Sequence, residues 1–170
     1  MDCPRMNHFV YIRTDSSPKF GSDEISRCCQ MVSSPRFKTL VDLENSQWLA
    51  DKKAQFAADQ WPMECERCKI EEDMGRPSVR TWSMNDHAKY SAVRSDYYVS
   101  EVKVDMICNA ACQICAPEYS SYYSKLAGVP PNEKSGLDYI DQIDRDRLVQ
   151  LDFAGGEPSI SKRTIAFLDN

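Results

Sequence analysis

Two stretches in the second half of the chain constrain its fold more than any others. From Val99 onward Val102, Val104 and Met106 alternate with Glu101, Lys103 and Asp105, the period of a strand with one apolar face. Leu148 to Ala154 form a second apolar strand. Between them Pro117 to Leu126 has the composition of a helix, closed by Gly128 and stopped by Pro130-Pro131. Strand, helix, strand is a βαβ unit, and it predicts an α/β architecture with a parallel pair, because a helical crossover returns the second strand in the direction of the first.

Each strand runs into a motif that carries chemistry. The first leads to Cys108-x3-Cys112-x2-Cys115, three soft ligands able to turn onto one small inorganic object, for which an iron–sulfur cluster is the best match. Three thiolates on a four-iron cluster leave one iron open to a small molecule, much as a catalytic zinc keeps one position free. The second strand ends in Gly155-Gly156-Glu157-Pro158. Neither glycine has a Cβ, so the backbone can approach a ligand closely, and Glu157 adds a negative charge suited to an amino group.

Together these motifs resemble the radical S-adenosylmethionine enzymes, whose C-x3-C-x2-C loop follows the first barrel strand and whose GGEP turn follows the second. The resemblance implies that Cys108, Cys112 and Cys115 hold a [4Fe-4S] cluster whose free iron chelates the amino and carboxylate groups of S-adenosylmethionine. It implies that Gly155, Gly156, Glu157 and Pro158 form the turn that holds the amino group. Reductive cleavage to a 5′-deoxyadenosyl radical and hydrogen abstraction from a substrate would follow, the electron coming from a reductant such as flavodoxin or ferredoxin. Ile114 departs from the family, which usually has an aromatic residue there. The implied fold over residues 98–170 is the beginning of a partial (βα)6 TIM-like barrel. Such a barrel should need roughly 190 residues, scaled from the eight-unit form, whereas 72 follow from Val99 onward. The expectation is therefore a truncated barrel of two strands, one helix and the start of another, as in a fragment, a split product or an interrupted reading frame.

The first ninety residues read as a small α+β cysteine-rich domain, a hairpin plus helices, covering residues 1–90. Cys3 to Arg13 has strand composition, Asp15 to Ser22 is dense in turn formers, and Ile25 to Met31 can return as a second strand ending at Cys28-Cys29. Ser46 is a candidate N-cap for a helix over Gln47 to Asp59, with Trp48, Leu49 and Phe56 on one face. Cys65-x2-Cys68 opens a helix that Gly75 can end, Pro77-Ser78 starts another to about His87, and residues 88–97 read as a connection.

This half resembles the SPASM auxiliary-cluster domains and their shortened twitch form. The matching elements are Cys3-Pro4, Cys28-Cys29, Pro62 to Cys68, Glu71-Glu72, Gly75, Ser78 and Arg80. By that resemblance Cys3, Cys28, Cys65 and Cys68 ligate a second [4Fe-4S] cluster, with Cys29 the rival to Cys28. Zinc also accepts four thiolates and is the alternative occupant. In most relatives this domain follows the barrel, whereas here it precedes it. Twitch and SPASM relatives often modify peptides, so a peptide is the substrate class the resemblance brings in.

A net charge of −5 with Lys and Arg scattered along the chain gives no basic footprint for nucleic acid or an anionic membrane. No apolar run approaches the roughly 18 residues of a membrane span, and the first residues lack the apolar core of a signal peptide. A cytoplasmic location is expected, where eight cysteines read better as metal ligands than as disulfides. His8 and His87 read as packing or surface residues. Two other function classes stand beside the enzyme: a non-catalytic iron–sulfur carrier and a zinc-stabilised binding module.

Overall fold

A computed structural model describes residues 1–13, 25–31, 33–130 and 135–169. The chain is mixed α/β, built on a four-stranded mixed sheet. Strand β1 (Phe9–Ile12) lies between β2 (Ile25–Ser26), antiparallel to it, and β3 (Tyr98–Lys103), parallel to it. Strand β4 (Leu148–Ala154) runs parallel to β3, with Ser100 opposite Leu151 and Val102 opposite Phe153. The parallel β3–β4 pair matches the βαβ expectation. One sheet thus takes strands from both the cysteine-rich segment and the segment that follows it, since Phe9 sits opposite Val99.

The antiparallel β1–β2 pair matches the hairpin that composition suggests, but both strands are shorter than expected. Pro4, at φ −56°, starts a single helical turn, α1 (Arg5–His8), and only then does the chain extend into β1. The return strand shrinks to Ile25–Ser26, because the chain turns at Cys29 and Gln30. The turn formers Asp15 to Ser22 lie outside the described residues.

Helix α2 (Leu40–Glu44) starts at Thr39, and α3 (Gln47–Ala57) starts at Ser46, whose Oγ accepts the Leu49 N–H at 3.2 Å. Leu49 and Phe56 are buried as expected. Helix α4 (Glu66–Asp73) follows Cys65, and α5 (Val79–Ser91) begins in a reciprocal capping box between Ser78 and Thr81. Residues 88–91 continue α5 rather than forming a connection, for the segment after Ser78 contains no Gly or Pro to stop it. Helix α6 (Ser121–Ala127) closes on Gly128 at φ +67°, and α7 (Lys162–Leu168) is capped by Ser161.

The alternation along β3 assigns its two faces correctly, but not their surroundings. Val10, Ile12, Val102 and Val104 face a core completed by Leu40, Leu43, Leu49, Ile140 and Ile143. Each such side chain contributes about 1.5–3 kcal/mol on burial. The opposite face carries Tyr11, Glu101 and Asp152 in one register row, with Gln150 and Lys103 to either side. It is not open to solvent, for Lys103 is 8% and Asp105 6% exposed. Arg27, fully buried at the sheet edge, donates to Phe9 O (3.1 Å) and Glu44 (2.9 Å), while Tyr98 OH donates to the same carboxylate. That network ties α2 to β1 and β3. No helix among the described residues is long and apolar enough to cross a membrane.

Candidate metal centres

The loop bearing Cys108, Cys112 and Cys115 leaves the C-terminal end of β3, and the Gly155–Pro158 turn leaves the C-terminal end of β4, its parallel neighbour. Crevices outside the carboxyl ends of parallel strands are where such sheets hold ligands. Strand β3 ends at Lys103, opposite Ala154, so it does not run directly into Cys108. Residues 104–107 form the exit from the strand, and the turn is bonded onto it. Val104 N–H donates to Ala154 O (2.9 Å), Gly156 N–H to Asp105 O (2.9 Å) and Glu157 N–H to Ile107 O (2.7 Å).

This close approach explains both glycines. A Cβ on Gly155 would stand 2.6 Å from Asp105 O, and one on Gly156 would stand 2.2 Å from Ile107 O. Gly155 also has φ +118°, a conformation that L side chains rarely adopt. Glu157 is engaged locally: its Oε1 accepts from Ser159 N–H (3.1 Å) and Ser159 Oγ (2.6 Å), which holds its carboxyl below the usual range.

The cysteine loop is pinned at its two ends. Cys108 N–H donates to Ser121 Oγ (3.0 Å), and Ser121 N–H donates to Met106 O (2.7 Å), so the start of α6 fixes the first cysteine. Cys115 N–H donates to Cys112 O (3.0 Å), which puts the other two on one turn, and Tyr123 OH donates to the same carbonyl. Cys108 and Cys115 are half-buried and Cys112 is exposed. Ile114 is 99% exposed and makes no wall. Beneath the loop lies a cation to which sequence reasoning gave no role. Lys103 Nζ sits 4.1 Å from the Tyr119 ring centroid, its Cγ borders Gly155, and Cys115 is within its electrostatic reach. Burial pushes this ammonium down to about 8.

The second group comes from three places in the fold. Cys3 precedes α1, Cys28 follows β2, and Cys65 and Cys68 flank the start of α4, positioned by the turn that Pro62 opens. All four are buried and line one small pocket, with about 10 Å³ of space at its centre. Burial pushes Cys3 up to about 11 and Cys65 up to about 12, so a metal entering here must displace their protons. Cys28 shifts the opposite way. Its sulfur accepts a hydrogen bond from the Cys29 thiol, the Gln30 N–H (3.4 Å) and Arg5 Nη1 (3.9 Å), all of which favour the thiolate. Cys29 does not line the pocket. Its side chain is bonded to Cys28 and Glu101, and its own thiol is pushed up.

Two arginines complete the pocket, and sequence reasoning missed one of them. Arg5, two residues beyond Cys3, reaches Cys28 and Cys29 while its guanidinium stacks 3.7 Å from the Phe9 ring centroid. Arg80 pairs with Glu72 and is also part of the pocket wall, 5.2 Å over Trp61 and bonded to Asp2 O (2.7 Å). Its adjacency to a cysteine was the only sequence signal for Arg5. Two cations beside four thiols suit an anionic metal–thiolate centre. The donor sets of both groups therefore fit iron–sulfur ligation, although no three His, Cys, Asp or Glu side chains among the described residues form a ready single-ion site. No family model, curated protein or solved structure matches the chain.

Proposed function

We propose that the chain is a radical S-adenosylmethionine protein, with Cys108, Cys112 and Cys115 holding a [4Fe-4S] cluster and Gly155, Gly156, Glu157 and Pro158 receiving the amino group of S-adenosylmethionine. One observation carries this reading: the Gly-Gly turn is hydrogen-bonded onto the exit of the strand that bears the cysteine loop, which puts the two motifs side by side at the C-terminal ends of adjacent parallel strands. When bound, the cluster and S-adenosylmethionine supply one-electron bond cleavage and hydrogen abstraction. The protein's own residues do the positioning. Ser121 fixes Cys108, the Cys112–Cys115 turn is held by Tyr123, and Lys103 places a positive charge beneath an anionic centre. On this reading β3, α6 and β4 begin a partial (βα)6 TIM-like barrel.

The four-cysteine pocket is read as a second centre, an auxiliary [4Fe-4S] cluster with zinc as the alternative occupant. Cys28 is assigned as its ligand over Cys29, because of these two it is Cys28 that lines the pocket. The remaining expectations follow from the same reading: a flavodoxin- or ferredoxin-type reductant, a peptide substrate and a cytoplasmic location.

Anaerobic reconstitution tests the whole. About seven to eight iron per chain are expected from two four-iron clusters, with 5′-deoxyadenosine formed when a reductant and S-adenosylmethionine are added. A Cys112→Ala variant should lose about four of those irons together with 5′-deoxyadenosine formation. Tightly bound zinc without iron would overturn the proposal, and iron without deoxyadenosine would make the chain a non-catalytic cluster carrier.

A further inference from the structure

Helix α5 is thirteen residues long, yet none of its side chains is buried. It is held over the polar face of the sheet by hydrogen bonds and by ring contacts of His87 and Tyr90 with His8 and Tyr97. Arg5 Nε donates to Ser83 Oγ (2.7 Å), Tyr97 OH bonds His87 Nδ1 (2.8 Å), and Tyr90 OH donates to Gln150. The gap beneath it is a cavity of about 140 Å³. Phe9, Val99 and Gln150, one register row across three strands, make its floor beside Asp152. Trp82, Asp86 and Tyr90, four residues apart on one stripe of α5, make its roof.

The lining has a definite electrostatic character. Among the described residues Asp86 has no ion-pair partner, and the oxygens of Asp152 accept from the Gln150 amide alone (2.8 and 2.9 Å). Arg5 is the cation in the wall, but its donors are turned to Ser83 and to the sulfurs of Cys28 and Cys29. His8 donates through Nδ1 to Tyr97 O (3.1 Å), stacks on the Tyr97 ring, and is held toward its neutral form by burial. Two carboxylates that no cation pairs with among the described residues, beside the exposed ring of Trp82, are complementary to a positive organic group: the carboxylates supply charge-assisted acceptors and Trp82 a cation–π surface, whereas the rings of Phe9, Tyr90 and Tyr97 are already met by Arg5, Lys89 and His8.

The geometry points to a binding site for an organic cation the size of an arginine or lysine side chain, beneath α5 and bounded by Asp86, Asp152 and Trp82. The site contains no cysteine and lies toward the N-terminal ends of β1 and β3, away from the Cys108–Cys115 loop. It shares Arg5 with the four-cysteine pocket, but Asp86, Asp152 and Trp82 line this cavity and not that pocket, so binding here is testable apart from the iron–sulfur reading.

Calorimetric titration of the full 170-residue chain with agmatine, which carries a guanidinium and an ammonium, should show saturable binding. Glutarate, an anion of similar length, should not bind. Asp86 is exposed, so Asp86→Asn will fold, and it should weaken agmatine about tenfold, the loss of one charge-assisted hydrogen bond. Asp152→Asn should do the same, and agmatine should shift the fluorescence of the wild type but not of Trp82→Phe. A blocked Gly-Arg-Gly peptide identifies the source of the cation: tighter binding than agmatine means a side chain in a peptide, and weaker binding means a free amine. Absence of agmatine binding, equal binding of glutarate, or unchanged affinity in Asp86→Asn would overturn the inference.

Discussion

Gly75, Gly155 and Gly156 separate two reasons for a glycine, and alanine at each gives a different cost. Gly75 has φ +69° with nothing within 4 Å of an added Cβ, so Gly75→Ala meets conformational strain alone, about 1–2 kcal/mol. Gly156 has no positive φ, but its added Cβ would lie 2.2 Å from Ile107 O and 2.7 Å from Ile107 C, both backbone atoms that cannot swing aside. Ordinary contact needs at least 3.4 Å, so the turn must part from the β3 exit by about 1 Å. That separation breaks the Gly156–Asp105 and Glu157–Ile107 hydrogen bonds, each worth about 1 kcal/mol net, with a further penalty for groups left unpaired. Gly156→Ala should therefore cost about 3 kcal/mol, and Gly155→Ala, which combines a 2.6 Å contact with φ +118°, about 4 kcal/mol. Urea denaturation of the three variants measures the order, and iron retention after reconstitution shows whether the parted turn disturbs Cys108. If Gly156→Ala cost no more than Gly75→Ala, the reasoning that the turn exists to ride on the cysteine-bearing strand would be refuted.

Other perturbations probe the polar side of the sheet and the cysteine pocket. Lys103 has an ammonium lowered from 10.5 to about 8, so the folded chain binds fewer protons than the unfolded one across that window. The cost is fully present below about pH 8 and is relieved as pH rises toward 10.5. Lys103→Met should raise stability at pH 7 by roughly 2 kcal/mol, after loss of the Tyr119 contact, and flatten the pH dependence between 8 and 10.5 relative to the parent; an unchanged urea midpoint at pH 7 would contradict this. Cys28→Ser should lose the irons of the auxiliary centre while Cys29→Ser keeps them, and the reverse pattern in an iron and sulfide assay would exchange their roles. Arg27→Met strips a donor from Phe9 O and from Glu44 and should cost about 3 kcal/mol. That is a fall of roughly 6–12 °C in Tm for a chain of this length, and a smaller fall than 2 °C would show the network to be dispensable.

What the sequence disclosed was largely local. Ser46 and Ser78 announced their helices because a cap is chemistry within four residues, and Leu148 to Ala154 formed a strand over the whole predicted span. Pro117 to Leu126 broke into a turn at Pro117–Tyr119 and α6, but its end at Gly128 held. Long-range facts were not legible. Alternation showed that Glu101 and Lys103 share a face, yet it carries no record of what covers that face, and so the burial of Lys103 was not foreseen. The convergence of Cys3, Cys28, Cys65 and Cys68 on one pocket was expected only through a resemblance. The choice of Cys28 over Cys29 depends on a turn after β2 that aims one thiol inward and the other at Glu101.

The place of β1 between β2 and β3 also sets an order of events during synthesis. Cys3, Cys28, Cys65 and Cys68 have all been made before the first residue of β3 appears. Between Ile12 and Lys103 a ribosome adds 91 residues, which at 5–20 residues per second takes about 5–18 s. Throughout that interval β1 presents one open edge of Val10, Tyr11 and Ile12, an invitation to pair with another nascent chain. A metal captured early by the four thiols would anchor α1 and the turn after β2 around β1 in that window, so cofactor delivery and protection from aggregation would become a single step in the life of the chain.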